Sequence, residues 1–251
     1  MKDYSKLSQN DLHTELLQAC GKGDLDLIKY LISSEDISNN PKIKHNKWEA
    51  IKLATSLGQI EVVKYFLEDI QNEYPNIVFN VSCQYGQLEI LEYLFHTSEF
   101  KSDKRNLSLL GSSIAASKGH TNLLKYFLTF SEFIDSGEIK KYKYDELFVT
   151  GCEKGHVNVI DYLLDNEDFL RNVNISDMAY WGFYKACENN QMNILQYFIF
   201  EKNMEFNQHI KDYLTEKNRN DIKALFNKRE LSKQLTSDLP NNQTISKKIK
   251  L

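Results

Sequence analysis

Proline and glycine are scarce in this chain of 251 residues, at 3 and 10. Both weaken helix interiors, so their scarcity favours mostly helical structure. Arginine is scarcer still for a cationic residue: only Arg105, Arg171, Arg219 and Arg229 stand against 27 lysines. Bidentate readout of phosphate or guanine is correspondingly disfavoured. A net charge of −4 and an isoelectric point near 5.9 lack the basic excess that nucleic acid calls for, so no nucleic-acid partner is expected. No apolar run reaches about 18 residues, which excludes a membrane-spanning helix from the expectation. Met1-Lys2-Asp3-Tyr4-Ser5-Lys6 has no apolar signal core, so a soluble, intracellular, cytoplasmic chain is expected. Asn106-Leu107-Ser108 and Asn242-Gln243-Thr244 are then chance glycosylation matches. Also missing are a Gly-x-Gly-x-x-Gly loop, a Walker loop, His-Glu-x-x-His and Gly-x-Ser-x-Gly, so no enzyme activity and no cofactor are expected.

What is present is a repeat. Cys152-Glu153-Lys154-Gly155 leads through an apolar run to Tyr162-Leu163-Leu164. The same pattern starts at Cys20, Thr55, Cys83, Ala116 and Cys187, with Asn190 replacing the glycine in the last copy. Tyr30, Tyr65, Tyr93, Tyr126, Tyr162 and Tyr197 mark the copies at spacings of 35, 28, 33, 36 and 35 residues. Within a copy, Leu25, Leu27, Ile28, Leu31 and Ile32 recur at helical spacing and need a neighbour to cover them. Gly21-Lys22-Gly23 looks like a phosphate loop in isolation, but it is the first copy of the repeat turn.

Period, spacing and the small-x-x-Gly-His turns at Gly119-His120 and Gly155-His156 resemble the ankyrin repeat. The likeness extends to divergent ankyrin proteins of intracellular bacteria or large viruses. It implies an all-α, ankyrin-repeat-like solenoid of stacked antiparallel helix pairs. The Thr-Pro-Leu-His opening and the Gly-Ala-Asp segment of that family are absent here.

In chain order, residues 1–11 are a polar lead-in. Six units follow at 12–46, 47–75, 76–107, 108–143, 144–178 and 179–210. Residues 211–235 are expected to form a helical cap that closes the array with a polar outer face, with helices over 209–226 and 227–235. Residues 236–251 are a basic tail with little to bury. Connectors are expected at 33–47, 96–108, 129–145, 165–179 and 200–212, with Ile37, Phe100, Phe133 and Phe169 plugging back under the helices. Pro75 should end any helix before it.

The cysteines Cys20, Cys83, Cys152 and Cys187 share the slot that Ala116 fills in its copy. Four small buried hydrophobes are therefore expected, with no metal. The resemblance assigns His120 and His156 to bracing the turn by a hydrogen bond. The tyrosine series reads as inter-unit packing. Asp26, Glu61, Glu89, Asn122, Asn158 and Asn193, early in each second helix, face the positive end of the helix dipole.

Members of the resembled family meet partners on the inner face, through the slot before the first helix and the two residues ahead of the turn glycine. Carried over, these slots give Trp48, Leu57 and Tyr85 as an apolar centre, with Lys118, Lys154 and Tyr180 as a more polar region. The function implied is a non-catalytic adaptor or inhibitor, monomeric, holding another protein on a concave face. The Lys and Asn bias makes a bacterial or viral effector delivered into a host cell the expected setting. The alternative is a helical-repeat enzyme, or the targeting module of one, with its site between repeats and connectors.

Overall fold

The computed structural model describes residues 4–33, 47–69, 75–97, 104–129 and 137–237. These residues form fifteen α-helices and, among them, no strand. In order they are α1 Gln9–Lys22, α2 Leu25–Ser33, α3 Lys47–Ser56, α4 Ile60–Asp69, α5 Pro75–Tyr85, α6 Leu88–His96, α7 Lys104–Lys118 and α8 Thr121–Thr129. There follow α9 Gly137–Lys154, α10 Val157–Leu164, α11 Glu167–Asn172, α12 Ile175–Glu188, α13 Met192–Gln196, α14 Gln208–Glu216 and α15 Asn220–Ser237. First helices pack on first helices along the array, α1 on α3, α3 on α5, α5 on α7, α7 on α9 and α9 on α12. The second helices α4, α6, α8 and α10 form a parallel row behind them. This is the solenoid of helix pairs that the repeat pattern predicts.

Each pair closes on one residue with left-handed backbone. It is Gly23, Gly58, Gly86, Gly119 or Gly155 with φ between +74° and +81°, then Asn190 at +56° and Asn218 at +53°. Glycine enters that region without a Cβ penalty, and asparagine is the side chain that tolerates it best. The next residue's amide then turns back to a first-helix carbonyl, as in Gln59 to Ala54 and Arg219 to Leu214 at 2.9 and 2.8 Å. That bond caps the first helix and fixes where the second departs.

The apolar faces meet between the rows. Val62, Val63 and Phe66 in α4, Ile90, Leu91, Leu94 and Phe95 in α6, and Leu123, Leu124 and Phe127 in α8 are all buried. Each such side chain contributes roughly 1.5–3 kcal/mol. Rings cross the joints: Phe79 meets Phe127 and Phe148 meets Phe198, both with centroids 6.3 Å apart. Close approach of neighbouring first helices needs small residues; a Cβ on Gly182 would lie 2.6 Å from Cys152 Sγ.

Several sequence expectations change. Residues 165–179 are largely helical rather than a connector, because Asn166 caps α11 by accepting from the Phe169 amide (2.9 Å) and Asn174 caps α12. Phe169 is indeed buried, stacked on Phe148 at 5.6 Å, whereas Ile37, Phe100 and Phe133 lie outside the described residues. The helices α7 and α9 start well inside the expected connectors 96–108 and 129–145. Pro75 opens α5, the position where its missing N–H is harmless. Residues 209–226 are not one helix: Asn218 breaks them, and α14 and α15 form a seventh pair with the same turn as the other six. Residues 238–251 lie outside the described set.

Candidate functional site

The joint between units is built from the residue that follows each turn. Gln59 Nε2 donates to the Gly21 carbonyl (3.0 Å), Gln87 to Ser56 (2.8 Å) and Gln191 to Glu153 (2.9 Å). His120 Nε2 meets the Gln84 carbonyl and His156 Nε2 the Ser117 carbonyl, both at 2.9 Å. Each accepting carbonyl lies at the end of the preceding unit's first helix, where intrahelical donors have run out. The turn histidines are therefore braces between units. The amides expected at the helix dipole do something more specific: Asn158 and Asn193 donate to the turn carbonyls of Gly119 and Gly155.

The tyrosine ladder also bridges units. Lys29, Lys64 and Lys125 each place their ammonium 5.3–5.8 Å from the ring of Tyr65, Tyr93 and Tyr162 in the following unit. In the sixth unit the helix widens into a π-type turn over Tyr197–Glu201, which buries Tyr197 and lets its hydroxyl donate to Asp161 Oδ1 at 2.7 Å. That bond holds the Asp161 carboxyl below its usual range.

All four cysteines are free and buried. Burial pushes the thiols of Cys20, Cys83 and Cys187 up to about 12, and raises Cys152 as well, so none is a thiolate near neutrality. Among the described residues no group of three or more His, Cys, Asp or Glu could hold a metal ion. Nor is any described helix long and apolar enough to cross a membrane.

Four of the six expected partner residues fall at one end of the first helices. Leu57, Tyr85, Lys118 and Lys154 each stand immediately before the turn in consecutive units, forming one row along the turn edge. Neighbouring members of such a row are about 10 Å apart, the spacing of packed helices. Leu57 and Tyr85 are each 54% exposed, and Leu57 leans over the preceding turn at Gly21. Lys118 and Lys154 are exposed too, with Lys154 paired to Glu153 at 2.8 Å. A lysine at a helix C-terminus has a structural reason to be there, complementing the dipole. Leu57 and Tyr85 have none of that kind.

Trp48 sits at the opposite end of α3, whereas Tyr180, expected ahead of its helix, lies five residues inside α12 because Asn174 caps that helix earlier. Nine residues separate Trp48 from Leu57, about 13 Å along the axis. Trp48 is 44% exposed. Tyr180 is half-buried, its hydroxyl accepting from Asn207 Nδ2 at 2.7 Å, in the wall of a cleft of about 620 Å³. Phe148, Leu164, Leu170, Ile175, Phe198 and Met204 line the same cleft, with Lys202 and Glu205 among its polar members. The neighbouring Trp181, 59% exposed, was not among the expected residues. One step along a helix rotates a side chain by about 100°, so the pre-helix slot points at the wrong member of the pair. Counting back in threes and fours from Glu188 through Tyr184 finds Trp181.

Residues 16–106 match the model of the family of ankyrin repeats (3 copies). An ankyrin repeat protein of Acanthamoeba polyphaga mimivirus is 29% identical over 119 residues, covering 44% of this chain and 19% of that protein. The chain thus spans about a fifth of the length of that curated relative. No solved structure matches.

Proposed function

We propose that this ankyrin-repeat solenoid is a non-catalytic adaptor or inhibitor that holds another protein against the turn edge of its first helices. Ankyrin repeats are protein–protein interaction modules. The observation that carries the proposal is the adjacent pair Leu57 and Tyr85, large and more than half exposed in consecutive units whose second-helix apolar faces are buried. Exposed apolar pairs of this sort make interface centres, and the flanking lysines Lys118 and Lys154 supply a polar rim. Trp48, at the start of α3, and Tyr180, midway along α12 and four units away, lie off this row as separate contacts. The mimivirus likeness supports an effector that acts inside a host cell. Against the enzyme alternative, the cleft beside Tyr180 brings together one carboxylate and no histidine.

Affinity purification from a cell lysate followed by mass spectrometry tests this reading. The intact chain should retain a partner that Leu57→Asp with Tyr85→Ala loses, while circular dichroism and melting stay unchanged. Retention of the same partner by the double variant rules out the turn edge.

A further inference from the structure

Beyond the turn edge, the exposed stripes of the first helices differ between the two ends of the array. In α12, Asp177, Trp181, Tyr184 and Glu188 follow helical spacing on the side opposite the buried Met178, Phe183 and Cys187. The corresponding stripe holds Glu146, Val149 and Glu153 in α9, and His209, Asp212 and Glu216 in α14. Each of these three helices places two carboxylates on the stripe and no lysine or arginine. By contrast, the stripes of α1, α3 and α5 carry a single carboxylate, Glu49, and a single lysine, Lys52, among neutral residues.

Aromatic surface lies inside this acidic field. Trp181 is 59% exposed, and Tyr184 meets Tyr213 of α14 with ring centroids 4.5 Å apart. Glu146 is taken up inside the array, accepting from Ser113 at 2.9 Å and from the largely buried Lys143 at 3.1 Å. Asp212 accepts from Gln208, but the other carboxylates are less constrained. Glu153, Glu188 and Glu216 pair with Lys154, Lys185 and Lys217 in ion pairs whose groups are 35–71% exposed, the kind that exchange readily. An indole face beside carboxylates matches the guanidinium group, which stacks flat on aromatic rings and hydrogen-bonds to carboxylate oxygens from its edges.

We propose that the face of α9, α12 and α14 around Trp181 docks a cationic, arginine-bearing peptide segment of a partner protein. One arginine lies over Trp181 between Asp177 and Glu188, and the next basic residues reach Glu153 on one side and Asp212 on the other. This contact stands apart from the Leu57 and Tyr85 row and survives its removal.

The test is fluorescence anisotropy of a labelled nonapeptide of alternating arginine and glycine, titrated with the full chain at low and at physiological salt. Saturable binding that weakens with salt is expected for this peptide, with none for its glutamate or serine counterparts. Trp181→Ala should weaken it at least tenfold, and Asp177→Asn with Glu188→Gln at least fivefold, whereas Leu57→Asp with Tyr85→Ala should leave it within twofold. Unchanged binding in Trp181→Ala overturns the proposal, as does equal binding of the serine peptide, which would mark a neutral occupant. Sedimentation showing dimers that Trp181→Ala dissolves would overturn it too, by assigning the face to a second copy of the chain.

Discussion

The second and seventh units close the same turn with different chemistry. In unit two Gly58 takes φ +74°, and the neutral amide of Gln59 reaches the Gly21 carbonyl. In unit seven Asn218 takes +53°, and the guanidinium of Arg219 donates to the Cys187 carbonyl at 2.6 Å while holding Asp221 through two bonds of 2.8 and 3.0 Å. The stack therefore asks for a left-handed residue followed by a donor long enough to span the joint. It does not ask for a particular pair of side chains. What differs is that the seventh joint carries charge and the second does not.

The turn backbone offers the most forceful way to break this equivalence. Gly119→Val forces a β-branched residue to φ +76° and sets its Cβ 2.6 Å from His156 Nδ1, disturbing the brace as well. A loss of about 3 kcal/mol in urea unfolding is expected. Asn190→Gly should go the other way, gaining up to about 1 kcal/mol by relieving a left-handed non-glycine residue. If both changes prove neutral, the left-handed turn is not what holds the pairs together.

Removing the donors sharpens the comparison. Gln59→Ala should cost about 1 kcal/mol, the usual worth of a neutral hydrogen bond, and Arg219→Ala about 2 kcal/mol because its bonds are charge-assisted. Urea titrations of the two variants measure the difference. Equal losses would mean that the charge at the seventh joint adds nothing.

Acid gives the smallest effect and should separate the joints. Hydrogen bonds from Arg219 hold the Asp221 carboxyl below the ordinary value of 3.8. A depressed carboxylate contributes stability that is complete above that value and disappears as pH falls through its lower folded value. Melting temperatures followed from pH 5 to 2.5 should therefore decline less steeply in Asp221→Asn than in the unaltered chain. The difference will be small, since the Asp221 side chain is 51% exposed and its pairing is screened.

The same comparison explains what could be read from the residues alone. Six units announce themselves through tyrosine spacing and the small residue three places before the turn. The seventh does not, because Asn218 replaces the turn glycine and Leu225 the tyrosine, and Thr215 in the small-residue slot is too little to stand out from a polar sequence that reads as a closing cap. Only helical geometry, the turn at Asn218 and the Arg219 bond reveal it. The match to known ankyrin repeats covers only the first three of the five glycine-turned units, ending at residue 106. For α11, Asn166-Glu167-Asp168 reads as a polar loop until Phe169 is seen buried against Phe148, at which point the asparagine is a helix cap. In the candidate surface, Leu57 and Tyr85 were legible because the turn fixes their position to the residue. Trp181 was not, since the helix that carries it was expected to start after Tyr180 and in fact starts at Ile175, so its exposed stripe was counted from the wrong place.

The brace has a consequence for how such a chain can change length. Its acceptor is a main-chain oxygen, which every amino acid supplies, so a unit places no demand on the identity of its predecessor beyond a helix that stops in the right place. Whole hairpins can then be duplicated, lost or exchanged by recombination, and each newcomer finds a socket already waiting for it.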